Sequence, residues 1–397
     1  MSVECFYSKS TKLQLPFSEL REEVKAAKGR NAVTYAQSKD PCIKNAIIKI
    51  DAGTKANTDK GVKEAISNLK MKEIAGIGNK GREGLGLVKR KYFSTSTKVE
   101  QRTMVVKEIR DSEENRRMVK IVGLAQQGAS TKWEVPPRKI SHEELIRTSE
   151  TRLKFLVKSV HDLLPTPTNK NRWYGTEDKC KLCGEEGTLN HILSGCKIAL
   201  AQGRYKYRHD KVLKELSKTM EEQLKTANKN QTRIKSNITF IKEGEKKPII
   251  TNNKQNSYLD TAQDWKMSVD LEGRLKIPSE ITVTNLRPDM ILISKDTKQL
   301  GIIELTVPIE DRIEISGEIK RNKYSIIEEE GKANGWGVQI WAVEIGCRGF
   351  PAKSTKRLLK QMGLNARKQK ECAEKLGKIA EEASRNIWRW SHNKKWF

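Results

Sequence analysis

Long apolar runs are missing from this 397-residue chain. Nothing in it approaches the roughly 18 consecutive apolar residues that a bilayer-spanning helix needs, which excludes that class of protein. Aromatic residues are scarce at 6%, and hydrophobic residues reach only 36% against 32% charged. Such a balance suits compact modules joined by polar segments rather than one large core. The opening "MSVECFYSKS" has neither the basic region nor the apolar core of a secretory leader, so an intracellular protein is expected. No internal repeat is evident. Acid is in short supply: 77 lysines and arginines face 50 aspartates and glutamates, a net charge of +27. That excess favours a polyanion partner, nucleic acid first, because neutralising phosphates releases their counterions. An anionic membrane surface is the rival, but no basic amphipathic segment stands out as an anchor. The seven cysteines do not form a disulfide-like framework; three of them bunch with a histidine, which in a reducing compartment points to metal.

Along the chain, residues 1–135 read as a basic, partly helical region. "LPFSELREEVKAAKGRNAVTYAQS" holds one helix, and "CIKNAIIKIDAG" one short strand. Val62, Ala65, Ile66 and Leu69 recur at helical spacing up to the glycine-rich "GIGNKGREGLGL". Its Gly76–Gly81 matches G-x-G-x-x-G but follows a helix rather than a strand, so the dinucleotide-binding context is absent. "EQRTMVVKEIRDSEENRRMVKIVGLAQQG" reads as a long charged helix. Residues 136–226 follow. "SHEELIRTSETRLKFLVKSVHDLLP" is expected as one helix capped by Ser141 and Glu144, stopped by Pro165, with Leu153, Leu156, Val160 and Leu163 inward. A helix over about 204–226 carries Leu213, Leu216, Met220 and Leu224 on one side. Residues 227–257 read as a polar linker with at most the strand "ITFI". Residues 258–350 are β-rich: "WKMSVDL", "ITVT", "DMILIS", "LGIIELTV" and "VQIWAVEI" are strands, with a helix near 311–331. Residues 351–397 form a basic C-terminal helix.

"CKLCGEEGTLNHILSGC" places Cys180, Cys183, His191 and Cys196 in the spacing C-x2-C-x7-H-x4-C. Three thiolates and an imidazole suit tetrahedral zinc, and four protein ligands leave no open position, so the site is structural. Directly after it, "RYKYRHD" and the next residue put Arg204, Arg208 and Lys211 on one helix face, with Tyr205 and Tyr207 adding surface on which bases can stack. An ordinary solvated basic face gives the same pattern.

A second feature is a pair of acids in runs that otherwise read as buried. Asp289 in "PDMILIS" and Glu304 in "GIIELTV" are joined by the hairpin-length "KDTKQ", so they meet at adjacent strand ends. Carboxylates side by side repel unless a cation sits between them. Mg²⁺ or Mn²⁺ fits, held by one or two carboxylates plus phosphate oxygens and water. "EIKRNKY" supplies Lys320, Lys323 and Tyr324 on the next helix, which a strand–helix–strand crossover lays over the sheet. A plain salt bridge between Glu304 and a lysine accounts for the spacing equally well.

The order P-D, then E after a strand, then lysine resembles the PD-(D/E)XK restriction-like nuclease pattern. More closely, "RPDMILIS", "IIELTVPIEDR", "KRNKY" and "VEIGCRGF", preceded by "CKLCGEEGTLNHILSGC" and "GRYKYRHD", resemble the C-terminal region of site-specific non-LTR retrotransposon polyproteins. "LPFSELREEVKAA", "GREGLGL" and "WEVPPRKISHEELIRTSETRLKFLVKSVHDLLPTP" resemble the linker after their reverse transcriptase, so the likeness covers nearly the whole chain. No paired-aspartate polymerase motif occurs. The resemblance implies an α+β/α/β fold: an α-helical N-terminal half, a zinc knuckle, then a nuclease core over 258–350 with a small mixed sheet flanked by helices. It implies catalytic metal ligands at Asp289 and Glu304, a catalytic lysine at Lys320 or Lys323 with Tyr324 alongside, and an R-H-D helix that brings His209 into the nucleic-acid-binding set. The usual lysine position, two residues after Glu304, is Thr306 here, and Glu304 stands where many relatives have aspartate. The implied activity is nicking of target DNA in the nucleus to prime reverse transcription, with element RNA as a further partner. The alternative is an inactive fragment that binds nucleic acid and cleaves nothing.

Overall fold

The computed structural model describes residues 1–43, 58–78, 92–229 and 257–396. The strand expected within "CIKNAIIKIDAG", the glycine-rich stretch beyond Gly78 and the linker with its "ITFI" lie outside the described residues. The chain divides into two compact units, Met1–Thr131 with Lys139–Glu144, and Lys132–Arg138 with Leu145–Phe397.

The first unit is helical. α1 (Leu20–Ala36), α2 (Thr58–Gly78) and α3 (Lys98–Val122) pack around Val33, Val62, Ala65, Val105 and Ile109, with Ile66 and Leu69 half-buried beside them. The periodicity of 62–69 predicted this face. Polarity enters the unit through ion pairs: Arg117 reaches Glu22 and, at 2.9 Å, Glu114. Thr97 and Glu100 cap α3 reciprocally, which supplies partners to two amides the helix leaves open.

The segment expected as one helix over 141–165 is two, α4 (His142–Arg147) and α5 (Glu150–Val160). Glu144 N–H donates to Ser141 Oγ at 3.0 Å, the expected cap, but the chain leaves the helical region at Thr148 and Ser149. Restarting shifts the inward face. Phe155, Leu156, Val160 and Leu164 are buried, while Leu153 and Leu163 are only half-buried.

The second unit mixes helices with a small sheet. β1 (Lys266–Val269), β2 (Met290–Ser294) and β3 (Gln299–Thr306) are antiparallel neighbours, and β4 (Gly337–Glu344) joins β3 in parallel, giving the order β1-β2-β3-β4. The helix between β3 and β4, here named α7 (Ile313–Ala333), makes the crossover. Before the sheet comes α6 (Arg204–Lys229); after it come α8 (Lys353–Gln361) and α9 (Ala366–Arg389). The tail is therefore two helices rather than one. Gly363, at φ +84, takes the left-handed turn between them, where a side chain would be strained.

Alternation along the strands sorts the core into two faces. Ile303, Leu305 and Val343 pack with Leu213, Leu216 and Met220 of α6 and with Leu358 and Leu376. Ile291, Leu300, Ile302 and Val338 pack with Tyr324 and Ile327 of α7. From Phe155 onward, the region read as 136–226 shares one core with 258–350 and 351–397, which read as successive regions. "ITVT" is not a strand. Ile281 is fully buried while Val283 is 87% exposed, so two residues that a strand would place on one face part company.

Candidate functional site

Cys180, Cys183, His191 and Cys196 come together, with their ligand atoms all within 4.8 Å of one another. Local backbone chemistry does this. Lys179 and Glu186 bridge as a minimal antiparallel pair, and Gly184, at φ +77, donates its N–H to the Cys180 carbonyl at 2.9 Å. Both cysteines are thereby held on one tight turn. His191–Gly195 is a π-helical turn, whose wider i→i+5 winding returns residue 196 to the side of residue 191. The two later ligands therefore face the same point. Donor set and spacing fit a zinc ion with Zn–S near 2.3 Å. Burial pushes the Cys196 thiol up to about 11, so metal entry displaces protons.

Tyr205 secures this turn. Its hydroxyl accepts the Cys196 N–H at 3.0 Å and faces the carbonyls of Ile192 at 3.0 Å and His191 at 3.2 Å. Tyr205, expected to stack on bases, packs against the knuckle.

Arg204 and Arg208 are corrected in the same way. They are 0% and 2% exposed, against the solvated face their spacing suggested. Arg204 donates to the carbonyls of Trp390 and Asn393, each at 2.6 Å, and lies 4.9 Å from the Trp396 ring centre. Arg208 donates to the carbonyls of Leu193 at 2.9 Å and Val307 at 3.0 Å, and to Ser384 Oγ at 3.2 Å. It ties the knuckle to the end of β3. Of the three cations only Lys211 is exposed, with its ammonium 4.7 Å from the Tyr207 ring centre.

The acidic pair is built by strand register. Met290 faces Ile303 across the antiparallel β2–β3 ladder, so the next step outward sets Asp289 opposite Glu304. Each carboxylate reaches the other strand: Glu304 Oε2 accepts the Asp289 N–H at 3.1 Å, and Asp289 Oδ2 accepts the Leu305 N–H at 2.8 Å. Lys320 of α7 forms an ion pair with Glu304 Oε1, and Glu304 is 2% exposed. Lys323 forms no ion pair with Glu304 or Asp289 among the described residues. Its exposed ammonium donates to the Tyr324 hydroxyl at 3.1 Å, and that hydroxyl donates to the Arg287 carbonyl at 2.8 Å. Tyr324 is fully buried, and burial followed by the nearby Glu304 charge raises its pKa strongly.

His209 belongs to this cluster. Its Nε2 lies 3.3 Å from Asp289 Oδ2 and its Nδ1 3.1 Å from Asp210 Oδ1. Burial opposes a charge on the ring, but hydrogen bonds to Asp210 and Asp289 win and raise its pKa to about 9. The R-H-D run thus reaches the carboxylates rather than solvent. Nothing in the spacing of residues 209 and 289 signals that contact.

Among the described residues, the knuckle is the one group of three or more Cys, His, Asp or Glu side chains close enough to share a metal. Asp289 and Glu304 form a two-carboxylate set, which is the kind Mg²⁺ takes when water and phosphate complete the shell. Among the described residues, no helix is long and apolar enough to cross a membrane. No protein-family model matches the chain, and no curated protein matches it.

Proposed function

We propose that this chain is a metal-dependent DNA endonuclease module, of the kind its resemblance to non-LTR retrotransposon C-terminal regions implies, in which Asp289 and Glu304 hold the catalytic divalent ion. The observation that carries this reading is the in-register meeting of two carboxylates at the ends of β2 and β3, with Lys320 arriving from the crossover helix. Mg²⁺ or Mn²⁺ bound there supplies Lewis acidity and a more acidic water. The backbone N–H groups of Asp289 and Leu305 fix the Glu304 and Asp289 carboxylates that would hold the ion. Lys320, rather than Lys323, is the ammonium placed to stabilise charge on the attacked phosphate, since it alone of the two contacts a carboxylate of the pair. The zinc knuckle, through Arg208, braces the backbone just beyond Glu304. Target DNA is the partner, and the nucleus is the compartment such a reaction requires.

A second reading has an observation of its own. Lys320 on Glu304 and His209 on Asp289 already neutralise both carboxylates, which is what a purely structural ion-pair network requires. In that case the chain binds nucleic acid without cleaving it. Nicking of supercoiled plasmid in Mg²⁺ or Mn²⁺ separates the two. The endonuclease reading expects Asp289→Ala and Glu304→Ala to lose activity by about 1,000-fold, and Lys320→Ala by about 100-fold. Lys323→Ala should stay near wild type. Nicking by Asp289→Ala at the wild-type rate sinks the endonuclease reading.

A further inference from the structure

From residue 345 to residue 370 the sequence holds eight lysines and arginines and no acid. α8 lies in this stretch. Its inward side is Thr355, Leu358 and Leu359, all fully buried, so helical spacing turns Lys353, Lys356 and Lys360 outward, where all three are exposed. None of the three is in an ion pair among the described residues; Lys353 acts on Glu314 from beyond ion-pair reach. On α6, α7 and α9, by contrast, cations pair with acids one turn away, as Lys225 does with Glu221, Lys332 with Glu328 and Arg367 with Glu371. Those pairs carry no net charge. α8 does.

Both ends of α8 are fixed to β4. The Ser354 hydroxyl donates to the Glu344 carboxylate and the Thr355 hydroxyl to the Glu344 carbonyl at 2.8 Å, while Gln361 Oε1 accepts the Trp341 indole N–H at 2.7 Å. Glu344 pairs with Thr306, two residues along β3 from Glu304, so the start of α8 sits by the same end of the sheet as the carboxylate pair. From Lys353 to Lys360 the helix rises about 10 Å. That matches about three successive phosphates of one DNA strand, at ~3.4 Å of rise each.

We propose that Lys353, Lys356 and Lys360 form the phosphate-binding ridge over which duplex DNA lies beside the Asp289–Glu304 pair. The choice of duplex DNA as occupant rests on the endonuclease reading; the charge, spacing and fixed seat of α8 stand without it. Contacts of this kind reach phosphate, so they supply affinity and register rather than base recognition. The nucleic-acid surface thereby moves from the helix after the knuckle, whose Arg204 and Arg208 turn inward, to the helix after the sheet. Neutralising phosphates releases counterions, so the three lysines carry a defined share of the salt dependence.

The test is fluorescence anisotropy of a labelled duplex DNA with the zinc-loaded full-length protein, without magnesium or manganese, as KCl is raised. Lys353→Ala, Lys356→Ala and Lys360→Ala combined should reduce the slope of log affinity against log salt by about three relative to wild type. Tm should not move, since all three side chains are exposed. The control removes the same charge from paired cations: Arg367→Ala, Lys370→Ala and Lys375→Ala combined should change the slope by less than about one. A wild-type slope in the α8 variant overturns the proposal, as does an equal fall in both triple variants, which is an effect of net charge alone. If the α8 triple variant does not fold, Lys356→Gln with Lys360→Gln decides: an unchanged slope overturns the ridge. Binding of single-stranded RNA or of phosphatidylserine vesicles that depends on the three lysines, while duplex DNA binding does not, overturns the occupant. Binding is read without nicking, so the two failures separate. A reduced slope with no nicking by wild type supports the ridge and removes the endonuclease reading; a wild-type slope in the α8 variant with Asp289-dependent nicking does the reverse.

Discussion

The knuckle and the carboxylate pair are two answers to one problem, that of bringing charged or ligating groups together inside a protein. The four knuckle residues lie within a short continuous stretch, and a tight turn followed by a π turn is enough to aim them. The carboxylate cluster draws His209, Asp289, Glu304 and Lys320 from four separate elements, and only the assembled sheet and its two flanking helices make them neighbours. A locally built site of ligating groups would depend on the metal it is able to hold; a site built by register depends on the core. The difference tells which perturbation each will feel.

Zinc removal should produce the largest contrast. Structural zinc contributes on the order of 10 kcal/mol to small domains of this type. Chelation, or Cys183→Ser, should abolish zinc stoichiometry and expose the amides of 180–196 to hydrogen exchange while β2 and β3 keep their protection. Equal protection of the knuckle with and without zinc breaks the comparison, because it makes the knuckle as core-dependent as the acids.

A smaller effect tests the link between the two regions. Arg208→Met removes charged hydrogen bonds to Leu193, Val307 and Ser384, so the fold should lose about 3 kcal/mol in urea unfolding. The folded fraction should keep its affinity for DNA, whereas Lys211→Ala should lower that affinity without lowering stability. A drop in DNA affinity with unchanged stability for Arg208→Met returns this arginine to the binding surface.

The last contrast is a pH dependence. The folded His209 pKa, raised to about 9, stands above its usual 6.5, so its partnership with Asp210 and Asp289 stabilises the protein fully below about pH 6.5. That stabilisation is lost as pH rises through about 9. In metal-free protein, the stability advantage of wild type over His209→Gln should shrink between those values; a constant difference over the whole range removes the charged-imidazole account.

Much of this was legible beforehand where a pattern is local. The helix containing Leu213, Leu216, Met220 and Leu224 has the expected inward face, and the "KDTKQ" hairpin pairs the two runs that hold Asp289 and Glu304. Contacts between remote segments were not legible. Arg204 and Arg208 read as surface charge because their partners are main-chain carbonyls near residues 193, 307, 390 and 393, which carry no sequence signal. "ITVT" reads as a strand by composition, yet no strand among the described residues pairs with it, and an unpaired segment does not become one.

By itself the sequence determined the ligand set of the knuckle, the basic balance of the chain and the alternation that builds a small sheet under helices, since all three follow from residue type and near-neighbour spacing. Only the tertiary structure decided that the arginines after the knuckle turn inward, that His209 meets Asp289, and that Lys320 rather than Lys323 reaches Glu304. Those outcomes rest on strand register and helix docking, where one residue of offset reverses which side chain faces the core.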